Sequence, residues 1–362
     1  MIIKSTPKYG SNFLSYSNGV EYFADERMYV LSKLTTTSSS LSMYNINGVL
    51  KSSIQDPAPN GDVSSICTDD DANAYLRTAI SGFEQRPAIY KYDKNGNFVD
   101  SKIDSPGGTN NPGIIYDGGF IYTKGDSPGT LAKYDLDLNL IWSVNIASGP
   151  SSITSDSTSI YAVSNVPFPL GTGPVVYKIS KSGSISWSVQ IISVIRVVYT
   201  LSISSTGMLY VGGLTRETSP FNNWCIISST GSIVNSGYLS FTFSSPVPAP
   251  HPTLNTIYTM TADSSDNLYI ASAQITGGAT LSQPLIKCNS SMSIIGTESN
   301  PTTLTSKWPN STTKSIFIYN NNIYALSNLS LSSVEPGVRV YDSNLNYVNQ
   351  FSLPSEQAAI VF

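Results

Sequence analysis

Seven short segments of this chain repeat one pattern, a strand-like run with a tyrosine at its centre. They read Arg27-Met28-Tyr29-Val30, Asn73-Ala74-Tyr75-Leu76, Phe120-Ile121-Tyr122, Ser159-Ile160-Tyr161-Ala162, Met208-Leu209-Tyr210-Val211, Asn267-Leu268-Tyr269-Ile270 and Asn322-Ile323-Tyr324-Ala325. The tyrosines at 29, 75, 122, 161, 210, 269 and 324 are 39 to 59 residues apart. Self-similarity at such a period restricts the chain to a repeat architecture.

A second signature follows each tyrosine by 12 to 19 residues and has the chemistry of a β-hairpin turn. Examples are Tyr92-Asp93-Lys94-Asn95-Gly96, Ile179-Ser180-Lys181-Ser182-Gly183 and Tyr341-Asp342-Ser343-Asn344-Leu345-Asn346. Gly48, Gly96, Gly183 and Gly231 supply the positive φ such a loop needs. Two of the three copies that lack glycine offer Asn139 and Asn346 one residue later, and asparagine tolerates the left-handed region, so these are expected to take that role. A third element, an apolar run and a polar turn such as Ser151-Ser152-Ile153-Thr154-Ser155-Asp156, precedes every tyrosine strand. Each unit is thus four antiparallel strands, and no helical periodicity interrupts them. Seven four-stranded units predict an all-β, seven-bladed β-propeller spanning residues 1–362 as a single domain. Met1-Ile2-Ile3 and Ala358-Ala359-Ile360-Val361-Phe362 fall where strands of a shared blade would lie, so the termini are expected to pair and close the ring.

Units such as Val176-Tyr177-Lys178-Ile179-Ser180-Lys181-Ser182-Gly183-Ser184-Ile185-Ser186-Trp187 resemble blades of the PQQ-like and related bacterial β-propeller repeat families. Ala262-Asp263-Ser264-Ser265-Asp266-Asn267-Leu268-Tyr269-Ile270 is similar to the turn-plus-strand half of the same repeats. The resemblance spans the chain and implies architecture. These families include quinone enzymes, scaffolds and adhesins, so it does not imply one activity.

In blades with strands A to D, the A–B and C–D turns share one face and the B–C and D–A connections share the other. The turns here are short and regular. The connections are long and rich in proline and aromatics, as in Asn165-Val166-Pro167-Phe168-Pro169-Leu170 and Ser245-Pro246-Val247-Pro248-Ala249-Pro250-His251-Pro252. Proline stiffens a loop in advance, and exposed aromatics give contact area at small entropic cost. This face is the expected recognition surface, with Phe83, Arg86, Phe168, Arg216, Phe221, Trp224, His251 and Trp308 as its candidate binding residues. Phe168, Phe221, Trp224 and Trp308 are expected to be exposed and to stack on sugars.

Chemistry is sparse. The chain has one histidine, and Cys67, Cys225 and Cys288 show no paired spacing, which excludes a Cys₂His₂ site and a disulfide framework. Asp135, Asp137 and Asn139 have the alternate spacing of a calcium loop but lack its glycine and distal glutamate. Asp69-Asp70-Asp71 and this group are read as turn residues, and no metal or other cofactor is expected. No nucleophile elbow or phosphate-cradling glycine loop occurs. The strand tyrosines, with Trp142 and Trp187, are expected to pack in the core. Asn289-Ser290-Ser291, Asn310-Ser311-Thr312 and Asn328-Leu329-Ser330 fit the glycosylation pattern but are taken as chance matches in an Asn- and Ser-rich chain.

Of 362 residues, 12% are charged, for a net charge of −4, and 40% are hydrophobic. That hydrophobic fraction excludes a disordered chain, and the charge supplies no basic face for nucleic acid. No run of about twenty apolar residues is present, so no membrane insertion is expected, and Met1 to Pro7 breaks off before a signal peptide forms. Low charge with much Ser, Thr, Asn and Tyr is similar to virion appendage proteins, particularly of bacteriophages, which reach the outside by lysis. The expectation is therefore a non-catalytic structural or binding propeller at a virion surface or tail, with other virion or assembly proteins or a host surface glycan as partner. The alternatives are a polysaccharide hydrolase or lyase using acids such as Asp56, Glu84, Asp104, Glu217 or Glu335 at the channel, and an intracellular interaction scaffold.

Overall fold

The computed structural model describes residues between Gly19 and Ser352, with 29 strands and no helix among the described residues. Outside the described residues lie 1–18, 353–362 and the connections 80–87, 104–112, 166–172, 215–221, 240–253, 299–311 and 329–336. So do short stretches at 25–26, 34–38, 46–47, 56, 59–61, 126–128, 148, 277–278 and 283–284.

The first sheet holds β1 (Gly19–Ala24), β2 (Arg27–Lys33), β3 (Ser39–Asn45) and β4 (Leu50–Gln55), each antiparallel to the next. The second holds β5 (Asp62–Thr68), β6 (Ala74–Ala79), β7 (Ala88–Tyr92) and β8 (Phe98–Ile103) in the same order. The third holds β9 (Ile114–Asp117), β10 (Phe120–Lys124), β11 (Thr130–Tyr134) and β12 (Leu140–Asn145). The fourth holds β13 (Ser152–Ser155), β14 (Ser159–Asn165), β15 (Pro174–Ser180) and β16 (Ile185–Gln190). A nine-stranded sheet follows. Its first half is β17 (Val197–Ile203), β18 (Leu209–Leu214), β19 (Trp224–Ile227) and β20 (Ile233–Gly237). Its second half is β21 (Leu254–Ala262), β22 (Leu268–Thr276), β23 (Ala279–Ser282), β24 (Ile286–Cys288) and β25 (Ile294–Thr297). The last sheet holds β26 (Thr312–Tyr319), β27 (Asn322–Asn328), β28 (Gly337–Tyr341) and β29 (Tyr347–Ser352).

The architecture is an all-β propeller of four-stranded antiparallel blades. The description as seven separate blades needs correction, because five four-stranded sheets stand alone and two sets of strands are joined into one sheet. The join is a backbone pairing of Leu214 on β18 with Thr256 on β21. Glycine makes it sterically accessible: a Cβ at Gly212 would lie 2.7 Å from Ile257 Cγ2 of β21.

The sheets pack face to face, and each cluster of buried apolar side chains is shared by two successive sets of strands. Tyr29, Leu41, Ile66 and Leu76 fill the first junction, and Tyr161, Val176, Leu201 and Val211 fill a later one. Met28 and Tyr44 of the first sheet pack with Phe317, Tyr324 and Val340 of the last, so the ring closes by side-chain packing. Each of the inner strands β1, β5, β9, β13, β17, β21 and β26 lies beside the next, and β26 lies beside β1. The terminal segments expected to pair lie outside the described residues, and both end sheets draw four strands from consecutive residues.

The turns behave as their chemistry dictates, with one correction. Each C–D turn has positive φ at its fourth residue, from 79° to 93° at Gly48, Gly96, Gly183 and Gly231. Where glycine is missing, Leu138, Met292 and Leu345 take the left-handed conformation at 61° to 64°, not Asn139 or Asn346. Asn139 is held instead by its amide, which donates to Asp135 Oδ2 at 2.9 Å. Leu138, Met292 and Leu345 bury their side chains in the junctions, which offsets a strain of about 1–2 kcal/mol.

The turn carboxylates accept their own backbone. Asp93 Oδ1 takes the N–H groups of Asn95 and Asn97, both at 2.8 Å, and Asp342 does the same for Asn344 and Asn346 at 2.8 and 2.9 Å. The side-chain amides of Asn97 and Asn346 hold these two carboxyls below the usual carboxylate value. Their contribution is full above the unfolded value near pH 4 and is lost as pH falls through the lower folded value. Asp93→Asn with Asp342→Asn is therefore expected to flatten the acid-side decline of the urea midpoint below about pH 4. An acid decline identical to the parent's would mean that these carboxylates add nothing.

Candidate functional site

Two faces are distinguished by chemistry. On the turn face, side chains of one blade grip a backbone carbonyl in the C–D turn of the next. Tyr75 Oη donates to Asp69 Oδ2 at 3.0 Å in its own A–B turn and lies 3.5 Å from the Leu136 carbonyl. Lys91 Nζ donates to that carbonyl at 2.7 Å. Tyr269 Oη and Lys287 Nζ both donate to the Ser343 carbonyl at 2.8 Å. Trp142 Nε1 donates to Lys181 O at 3.0 Å, Trp187 Nε1 to Ser229 O at 2.9 Å, and Arg27 Nη1 to Lys94 O. The ammonium groups of Lys91, Lys178 and Lys287 stand 5.4–5.7 Å from the centroids of the Tyr75, Tyr161 and Tyr269 rings. These contacts put the A–B and C–D turns on one face.

The seven strand tyrosines are buried, from 0 to 4% exposed. Trp142 and Trp187 are half-buried rather than core, because the next blade's turn glycine sits on each ring. A Cβ at Gly183 would meet Trp142 Cδ2 at 3.0 Å, and one at Gly231 would meet Trp187 Cδ2 at 2.9 Å. The turn face is thus committed to holding the ring together.

Five of the seven inner strands are irregular, whereas β9 and β13 pair with their neighbours in unbroken register. Register shifts fall between Val20 and Phe23 on β1, Val63 and Ser65 on β5, Val198 and Thr200 on β17, Ile257 and Thr259 on β21, and Thr313 and Ser315 on β26. The shifts on β5, β17 and β26 lie near the starts of their strands, and those on β1 and β21 lie mid-strand. A bulge re-aims the extra residue, and bulges concentrate next to functional sites. On β17 and β21 the extra residues are Tyr199 and Tyr258, whose rings stack with centroids 5.6 Å apart and planes at 30°. Tyr258 is buried and Tyr199 half-buried. Burial, with the neighbouring Tyr199 hydroxyl, pushes the Tyr258 phenol up to about 12. Burial also raises that of Tyr199, against the attraction of the Arg196 guanidinium. Arg196 precedes β17 and is exposed.

Of the eight candidate binding residues, Phe83, Arg86, Phe168, Arg216, Phe221, His251 and Trp308 lie outside the described residues. So do Asp56, Glu84, Asp104, Glu217 and Glu335. Trp224 contradicts its expected exposure and is 8% exposed. It pairs across the sheet with Gly212 on one side and Gly237 on the other, where side chains are missing, and packs with Tyr210 and Ile257 at the next junction. The sequence reading missed the Tyr199–Tyr258 pair. Its one signal was a tyrosine flanked by Val or Ile and by Thr on two successive inner strands, in Val198-Tyr199-Thr200 and Ile257-Tyr258-Thr259, outside the repeating register. It also missed two cations, Arg77 and Lys124, each two residues after a strand tyrosine and fully buried. A third omission is the Arg339–Glu298 ion pair at 3.1 Å, with side chains 9% and 5% exposed.

Asp135, read as a turn residue, accepts the backbone N–H groups of Asp137 and Asn139 at 3.0 and 2.8 Å. Among the described residues no group of three or more His, Cys, Asp or Glu side chains is placed to hold a metal ion. Cys225 and Cys288 are buried, which pushes both thiols up to about 12. Among the described residues no helix is long and apolar enough to cross a membrane.

Comparison with known proteins places the fold. Hsv2 from Kluyvelomyces marxianus is similar over 95% of this chain and all of its own, with a TM-score of 0.53 and 9% identity. The C-terminal WD40 domain of Sif2 is similar over 94% of this chain and 87% of its own, with a TM-score of 0.52 and 8% identity. BamB from Moraxella catarrhalis covers 89% of this chain and 94% of its own at 13% identity, with a TM-score of 0.49. No family model and no curated relative matches the chain. At these identities the likeness is one of fold, the β-propeller.

Proposed function

We propose that this chain is a non-catalytic binding propeller of seven blades, formed by residues 1–362 as one domain, whose partners include other proteins. The nine-stranded sheet counts as two blades, because β17 to β20 and β21, β22, β24 and β25 each repeat the four-strand order of the separate sheets. The observation that carries the protein-binding reading lies on the outer strands. Each begins with large apolar residues facing solvent, including Leu50, Phe98, Val99, Leu140, Ile141, Ile233, Val234, Ile294, Ile295 and Val348. Phe98 is 57% exposed and Val348 54%. Repetition of such residues around the rim marks an interaction surface more than scattered exposure does. The turn aspartates support a non-catalytic role, since Asp93, Asp135 and Asp342 spend their oxygens on their own turns.

The setting that fits this composition is a virion surface or tail, with the proline-rich loop face available for host glycan. Sedimentation of material from the native source, followed by mass spectrometry of the fractions, tests it. The chain is expected in particles of megadalton size, and Phe98→Lys with Ile141→Lys is expected to release it from them. Migration as a free monomer would overturn the assembly reading.

A further inference from the structure

The outer strands carry a bulge of their own. Each pairs with its neighbour through a register shift just after the C–D turn, which leaves one extra residue on β4, β8, β12, β16, β20, β25 and β29. On β4 and β16 that residue is Lys51 and Ser186. On the other five it is Val99, Ile141, Val234, Ile295 and Val348. A bulge re-aims its extra residue, and all seven are exposed. The position accepts polar side chains, as Lys51 and Ser186 show, yet the other five are β-branched, apolar and 47–54% exposed. Lys51 and Ser186 divide this apolar rim into two arcs, one on β8 and β12 and the other on β20, β25 and β29. The arcs differ in charge. With its C–D turns, the first carries Asp93, Lys94, Asp100, Lys102, Asp135 and Asp137. The second carries only Asp342, whose Oδ1 accepts N–H groups of its own turn. Ile233 and Ile294, one residue before two of its bulges, are exposed as well.

We infer that the neutral arc on β20, β25 and β29 is a self-association surface, on which a second copy of this chain seats the same arc about a two-fold axis. Copies of a chain with a net charge of −4 repel one another, so they meet at lowest electrostatic cost where neither presents a charge. A partner rich in charge is steered instead to the ionised groups of the other arc. A two-fold contact needs one self-complementary patch, and a neutral apolar surface fits its own copy without matching donors to acceptors. No charged residue or proline lies on β20, β25 or β29, although these are common devices for keeping an edge strand from another chain. The bulge turns the strand edge aside, so the contact is made by side chains and not by added backbone pairing. A stable contact takes about 800 Å² from each partner, more than the apolar pair on one strand supplies, so the three strands act together.

This inference rests on the reading of the rim as an interaction surface and names the partner at one arc of it. Sedimentation velocity of the purified chain over a range of concentrations tests it. The parent is expected to form a dimer that persists when sodium chloride is raised, since burial of apolar surface is not screened by salt. Val234→Lys with Ile295→Lys is expected to raise the dimer dissociation constant by about hundredfold or more, because a two-fold contact meets each substitution twice. Val99→Lys with Ile141→Lys, on the charged arc, is expected to leave that constant unchanged. Unaltered melting temperatures identify the loss as one of association. A parent that is monomeric at every concentration, equal weakening by the two pairs, or a dimer untouched by Val234→Lys with Ile295→Lys overturns the inference. Open-ended assembly of the purified chain contradicts a two-fold contact in the same way. A dimer lost only with Val234→Lys and Ile295→Lys, in a chain that Phe98→Lys with Ile141→Lys does not release from native particles, leaves this contact standing while the particle reading falls.

Discussion

Replacing Tyr75 with alanine is expected to lower the unfolding free energy by about 4 kcal/mol, read from the urea midpoint at constant slope. The ring is fully buried between two blades, packed with Ile89, Ile121 and Tyr134. Deleting it removes that burial and leaves a cavity the neighbouring sheets cannot fill without moving apart. Tyr75→Phe keeps the ring and removes only the hydroxyl, which donates to Asp69 and faces the Leu136 carbonyl. Its expected cost is about 1.5–3 kcal/mol, the range for a lost hydrogen bond to a charged acceptor. The gap between the two variants is the informative quantity. Equal losses would mean that the hydroxyl, not the ring, holds the junction, and that the strand tyrosines are not primarily packing residues.

Gly213→Ala is the second large effect. Its new Cβ would lie 2.0 Å from the Val197 carbonyl oxygen and 3.0 Å from Ile195 Cγ2. The obstacle is backbone of the paired inner strand, so the hairpin of β17 and β18 must separate for the methyl group to fit. Overpacking of this kind costs about 3 kcal/mol. Gly118→Ala is the control, since Gly118 has a φ of +59° and nothing within 4 Å of a new Cβ. There the backbone conformation alone is penalised, at about 1 kcal/mol. A Gly213→Ala variant as stable as Gly118→Ala would contradict the close approach of β17 to β18, on which the placement of Tyr199 depends.

Much of the scaffold is legible in the sequence because it repeats. The strand tyrosines, the C–D turn glycines and the alternating outer strands each occur in several units, so chance similarity is averaged out. What escaped is what occurs once or needs a neighbour. That Leu138, Met292 and Leu345 would adopt positive φ follows from junctions able to receive an apolar side chain, and a single repeat does not reveal its neighbour. The burial of Trp224 follows from Gly212 and Gly237 on flanking strands, a cross-strand relation separated by more than ten residues. Lys91 and Lys287 look like surface charges in sequence, yet each reaches the turn of the next blade. The Tyr199–Tyr258 stack depends on two bulges, which shift register without any strong local signal. The joining of two blades into one sheet likewise depends on Gly212 meeting Ile257 across a junction.

A closed ring underlies every other statement, since the channel mouth, the loop face and the apolar rim exist only if the last sheet meets the first. Spin labels on exposed outer-strand positions measure this directly, by the dipolar distance between Val49→Cys and Val348→Cys in a chain whose three native cysteines are replaced by serine or alanine. These positions belong to the first and last sheets, and the Val49→Cys with Phe98→Cys pair, on successive sheets, calibrates the spacing of neighbouring blades. Matching distances in the two pairs are the result the closed propeller requires. A Val49–Val348 distance much longer than the Val49–Phe98 distance would mean an open arc, and with it the loss of the channel and of the closed rim.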